Sequence, residues 1–182
     1  MLGLLARLGR ATALVTALPA TPFGRKIASS YRQAGIDTAH MIWRPSGRVG
    51  LYFVEQAAAP LPSQVIYDRE GSCFAQLGPD DIDWPVFASA RLVHNSGITA
   101  ALSDRSYELV RTAVDVGLTH RRTVSVDVNY RSRLWAPQVA AGRLMPILKS
   151  ADIVFCSCRD AEALFGLDTD ASGVAAALAA GR

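Results

Sequence analysis

Long apolar runs, basic clusters and paired cysteines are all scarce in this sequence, and each shortage removes a class of function. No apolar segment of the 182 residues approaches the roughly 20 that a helix needs to span a bilayer, which excludes a membrane protein. The net charge is only +3, and the arginines behind a pI near 9.0 are scattered with no basic run of five or more, so no nucleic-acid partner is expected. Three cysteines, Cys73, Cys156 and Cys158, make an odd count, and Cys156-x-Cys158 has neither the two-residue spacing of common zinc sites nor a neighbouring histidine. Neither a disulfide framework nor a metal site is expected, and a reducing cytoplasm is the simplest setting. Disorder is excluded as well, because 50% of the residues are hydrophobic and only 19% charged. What remains is one globular domain, or part of a larger one.

The residues that are present alternate between two periods. Leu4, Leu5 and Leu8 recur at helical spacing before Gly9, and residues 11–18 suit a buried strand better than the apolar core of a secretory signal. Thr21 is placed to cap a helix with Pro22 at its first position, Phe23, Ile27, Tyr31 and Ala34 on one face, and Gly35 at its end. Residues 91–94 form a short strand. Ser103 then caps a helix with Leu102 and Tyr107 as a hydrophobic staple and Tyr107, Val110, Val114 and Leu118 as its buried face. A strand over 123–128, a helix over 138–148 and a strand over 153–156 complete repeated βα units, hence a largely parallel sheet in an α/β fold.

Two segments carry chemistry. In Ser125-Val126-Asp127-Val128-Asn129-Tyr130-Arg131-Ser132-Arg133 an alternating strand ends in polar groups, and ligands of open α/β sheets bind beyond such carboxyl ends, so Asp127, Asn129 and Arg131 are candidates for a shared site. A plain polar exit from the strand with a surface arginine fits the same residues. In the second segment, residues 50–55 and 64–69 are strand-like runs joined by 57–62 without a helix between them. Such a hairpin can serve as a lid that offers Tyr52, Tyr67 and Arg69, or as an edge hairpin with ordinary cross-strand tyrosines.

Five motifs in order, Gly50-Leu51-Tyr52-Phe53, Ile66-Tyr67-Asp68-Arg69-Glu70-Gly71-Ser72, His94-Asn95-Ser96-Gly97-Ile98-Thr99, Asp127-Val128-Asn129-Tyr130-Arg131 and Ala161-Glu162-Ala163-Leu164-Phe165-Gly166, resemble the 2-keto-3-deoxygluconate kinases of the ribokinase (PfkB) family. The resemblance implies a ribokinase-like three-layer α/β/α sandwich with a small β lid at about 49–77, residues 1–182 forming a partial kinase domain. It implies ATP-dependent phosphorylation of a sugar acid with Mg2+, in the cytoplasm. By resemblance Tyr52, Tyr67, Arg69 and Arg131 bind the sugar acid together with the backbone at Gly97 and Ile98, while Asn129, Tyr130, Arg131 and Asp160 lie on the ATP side. A planar guanidinium suits a carboxylate through two parallel hydrogen bonds, and a neutral sugar would not need two arginines. The lid also offers a route to a homo-oligomer.

The other candidates read as structural. His94 is expected to be a satisfied strand histidine, His40 and His120 have no motif, and Trp43, Trp84 and Trp135 are expected to pack, Trp135 close enough to the loop before it to wall the site. Ser157 and Asp160 stand where the family often has asparagine and glutamate, and suit a helix cap with an acid at the third position better than a metal role.

The chain also departs from the family pattern. The glycine-rich first turn is absent, and the Gly-Ala-Gly-Asp motif, whose aspartate is the family's general base, is expected beyond Arg182, so no catalytic residue is expected within the chain. The expectation is a kinase truncated at both ends and inactive alone, with a non-catalytic sugar-acid-binding module or a partner-completed one as alternatives.

Overall fold

The computed structural model describes residues 2–56 and 64–180, and they divide into two compact units, residues 1–82 and 83–182. The sequence linker 57–62 lies outside the described residues.

In the first unit, helix α1 (Leu2–Arg7) leads through Gly9 to strand β1 (Thr16–Pro19), helix α2 (Pro22–Gln33) and strand β2 (Met41–Arg44), which pairs parallel to β1. β1 is shorter than the 11–18 expected, with only an isolated bridge from Ala13 to Asp37 ahead of it. Thr21 caps α2 as expected, its hydroxyl accepting from Gly24 N at 3.2 Å. The buried stripe of α2 is different from the one expected: Gly24 and Ala28 are buried, whereas Phe23 and Tyr31 are exposed. A Cβ on Gly24 would lie 2.1 Å from Pro19 O, so α2 crosses the strand end at a distance only glycine permits. Trp43, expected to pack, is 41% exposed on β2.

Strands β3 (Leu51–Glu55) and β4 (Gln64–Asp68) pair antiparallel with Tyr52 opposite Tyr67 and Phe53 opposite Ile66. Directly opposed residues share a face, so one side of this ribbon carries the tyrosines and the other Phe53 and Ile66. Arg48 clamps its base: Nη2 donates to Asp68 O at 2.7 Å and pairs with the Asp68 carboxylate at 2.5 Å, and Nη1 donates to Glu70 O at 2.8 Å. Beyond the ribbon the chain turns inward, burying Ser72, Cys73, Ala75 and Leu77 before the 3-10 turn Pro79–Asp81.

The second unit opens with α3 (Pro85–Ser89), where Trp84 and Phe87 meet at 5.2 Å between ring centroids, and continues as β5 (Leu92–Ser96), α4 (Gly97–Ala100), α5 (Asp104–Thr119), β6 (Thr123–Asp127), α6 (Pro137–Ser150), β7 (Ile153–Phe155), α7 (Cys158–Phe165) and α8 (Ala171–Ala180). The three strands form a parallel sheet in the order β5-β6-β7. Val124, Val126 and Val128 turn to one face and meet Val110 and Val114 of α5 and Leu144, Ile147 and Leu148 of α6 in a single core. Leu118, expected in that core, is 39% exposed; Gly117 lies there instead, its place for a Cβ 2.8 Å from Val124 Cγ2. α5 and α6 are tied by an ion pair between Arg143 and Asp104 at 2.7 Å and by Tyr107 Oη, which donates to Arg143 O at 3.2 Å.

Candidate functional site

The chemistry-bearing residues fall into one cluster in each unit. On the ribbon of the first unit, the register sets Tyr52 directly beside Tyr67, and the Arg69 guanidinium lies over the Tyr67 ring at 4.6 Å. Tyr52 is 61% exposed. The three residues expected on the lid are therefore together, an aromatic surface edged by phenol hydroxyls and a cation.

In the second unit the cluster forms at the carboxyl ends of β5 and β6. Ser96 ends β5 and caps α4, and its hydroxyl accepts from Ile98 N at 3.4 Å and from Asn129 Nδ2 at 3.3 Å. Gly97 is enforced by space: a Cβ there would lie 2.1 Å from Val128 O and 3.4 Å from Leu144 Cδ1. Asn129 adopts φ 41°, in the left-handed region that asparagine tolerates better than most residues. Tyr130 N donates to Asp160 Oδ2 at 3.2 Å, and its ring packs on the core with Oη donating to Trp135 O at 3.2 Å. Arg131 Nη1 donates to Tyr130 O at 2.9 Å. Gly97, Ile98, Asn129, Tyr130 and Asp160 are thus joined through Ser96 and the β6 loop. The Tyr130 ring is spent on packing, and its N–H and C=O are engaged by Asp160 and Arg131.

Ser157 caps α7, its Oγ accepting from Asp160 N at 3.0 Å. The carboxylate of Asp160 has a second use, the Tyr130 amide thirty residues away, which no local spacing reveals. Ser96 also had no role in the sequence reading; a serine at the end of a strand just before glycine is the signal that could have found it as a cap.

Two titratable groups sit close by without the character of a nucleophile or base. His94 Nδ1 lies 3.0 Å from Ser125 Oγ on the adjacent strand, and its ring meets Phe155 edge-on at 6.3 Å, the satisfied strand histidine that was expected. Burial lowers its pKa, against the opposing pull of Asp127. Burial, joined by the negative charges of Asp160 and Asp127 and by Cys158, pushes the Cys156 thiol up to about 11, so it stays protonated at neutral pH.

Among the described residues no group of three or more His, Cys, Asp or Glu side chains could hold a metal ion. Magnesium is commonly held by one or two carboxylates plus substrate phosphates, and in the Asp160 carboxylate it is Oδ2 that accepts the Tyr130 amide.

The family model for pfkB family carbohydrate kinases matches residues 2–182. The chain belongs to this family. It is 34% identical to the 2-dehydro-3-deoxygalactonokinase of Haloferax volcanii over 177 residues, 95% of this chain and 54% of that protein. The crystal structure of 2-dehydro-3-deoxygluconokinase from Thermotoga maritima is similar at a TM-score of 0.85 and 33% identity, over 92% of this chain and 52% of that one. Fructokinase with bound ATP from Xylella fastidiosa is similar at a TM-score of 0.82 and 25% identity, over 99% of this chain and 57% of that one. The chain therefore spans about half the length of the relatives it matches. These likenesses bear out the ribokinase-like fold class. No helix among the described residues is long and apolar enough to cross a membrane.

Proposed function

We propose that this PfkB-family chain carries the sugar-acid-binding groups of an ATP-dependent kinase for 2-keto-3-deoxygluconate or a closely similar acid. The observation that carries this reading is the ribbon cluster, Tyr52 beside Tyr67 with Arg69 stacked on it. Sugars present hydroxyls and C–H faces, which tyrosines match, and the carboxylate of an aldonic acid calls for a guanidinium. Tyr52, Tyr67 and Arg69 are the substrate groups of the first unit, and Gly97, Ile98 and Arg131 those of the second. Asn129, Tyr130, Arg131 and Asp160 are assigned to the ATP side, and Mg2+ would be brought by the nucleotide phosphates. The names of the Haloferax and Thermotoga relatives support the substrate class, and the ATP bound to the Xylella fructokinase supports the phosphoryl donor.

Calorimetric titration tests this without requiring turnover. Saturable heat with 2-keto-3-deoxygluconate and none with ribose is expected, and Arg69→Ala and Arg131→Ala should each weaken binding by roughly tenfold or more. Equal binding of ribose, or indifference to both substitutions, would overturn the assignment. We further propose that the opposite, Phe53–Ile66 face of the ribbon is where copies of the chain associate.

A further inference from the structure

The loop after β6 is held by two side-chain hydrogen bonds that strand pairing does not supply. Asn129 Nδ2 donates to Ser96 Oγ at 3.3 Å, and Tyr130 N donates to Asp160 Oδ2 at 3.2 Å. Between these two anchors Asn129 keeps φ 41°, in the left-handed region that asparagine tolerates better than most residues. The second anchor is itself anchored: Asp160 N donates to Ser157 Oγ at 3.0 Å in the first turn of α7. On the far side of the same residue, the Tyr130 carbonyl accepts from Arg131 Nη1 at 2.9 Å. One residue is thus gripped through its N–H by an acid and through its C=O by the arginine that follows.

We propose that Asp160 is a positioning residue: by holding the Tyr130 N–H, its carboxylate fixes the left-handed turn at Asn129 and so the direction in which Arg131 presents its guanidinium. The hold is a hydrogen bond to a side-chain oxygen between residues thirty positions apart, and it depends on that acceptor oxygen being in place. In this role Asp160 acts through geometry and not through a metal. The inference about Arg131 rests on the assignment of that residue to the ligand given above.

The test uses the full chain with Asp160→Asn, which keeps an oxygen acceptor and removes the charge, and Asp160→Ala, which removes both. Amide hydrogen exchange at Tyr130 is read first, because it needs no ligand. Protection should be largely retained in Asp160→Asn and fall by roughly tenfold or more in Asp160→Ala. Affinity for 2-keto-3-deoxygluconate should follow the same order. Exchange as fast in the asparagine variant as in the alanine one, or as slow in the alanine variant as in the wild type, would overturn the proposal. An equal loss of Mg2+-ATP affinity in both variants would also overturn it, by assigning the carboxylate to the metal. If Tyr130 exchange follows the expected order but no form binds the sugar acid, the substrate assignment fails while the hold of Asp160 on the loop stands. Should the alanine variant fail to fold, Asp160→Ser, whose oxygen falls short of Tyr130 N, takes its place with the same expected result.

Discussion

An alanine at position 97 would bring its Cβ to within 2.1 Å of Val128 O, a backbone atom that cannot step aside alone. Gly97→Ala should therefore cost on the order of 1–3 kcal/mol of stability or more, read as a lower urea midpoint, and should weaken sugar-acid binding at any temperature where the protein stays folded. A variant with unchanged midpoint and affinity would refute the close approach. His94 makes a pH prediction at the same scale. Its pKa is lowered by burial in the folded chain, so the unfolded chain binds the proton more readily. The stability due to neutral His94 is whole above the unfolded value of about 6.5 and is lost as the pH falls through the lower folded value. Urea midpoints should drop on acidification more steeply in the wild type than in His94→Gln; parallel curves would count against it. Single residues were legible in the sequence when their role was local, as with the caps Thr21, Ser103 and Ser157. The Tyr130–Asp160 and Asn129–Ser96 contacts join residues about thirty positions apart, and nothing in the spacing of the sequence marks such pairs.

The helices of the βα units fall where apolar periodicity places them, yet the faces they bury differ in detail. Reading a face from the largest apolar side chains puts Phe23, Tyr31 and Leu118 inside, whereas α2 buries Gly24 and Ala28, and α5 buries Gly117 together with Leu109, Val110 and Val114. Contact with backbone rewards smallness, and hydrophobicity alone does not report it. The four-residue strand β2, Met41-Ile42-Trp43-Arg44, is too short for period-two alternation to stand out, and it was not foreseen. The ribbon was foreseen because two tyrosine-bearing strand runs lacked a helix between them. Its Phe53 and Ile66 are 55% and 50% exposed on one face, and a two-stranded ribbon is marginal without something packed against it. Sedimentation velocity should show self-association that grows with concentration, and Phe53→Glu should abolish it with little change in sugar-acid affinity. A monomer at all concentrations would remove the proposed association surface.

Taken whole, the molecule has the fold of its family over about half the length of its relatives. The division into two units gives the molecule an optical signature. Trp43 is the sole indole of residues 1–82, whereas Trp84 and Trp135 both belong to residues 83–182. A chain in which Trp84 and Trp135 are replaced by phenylalanine would fluoresce from the first unit alone, and one lacking Trp43 from the second. With the emission of each variant followed through a denaturant ramp, the two halves become separately audible, and coincident or staggered transitions would tell whether they melt as one cooperative body.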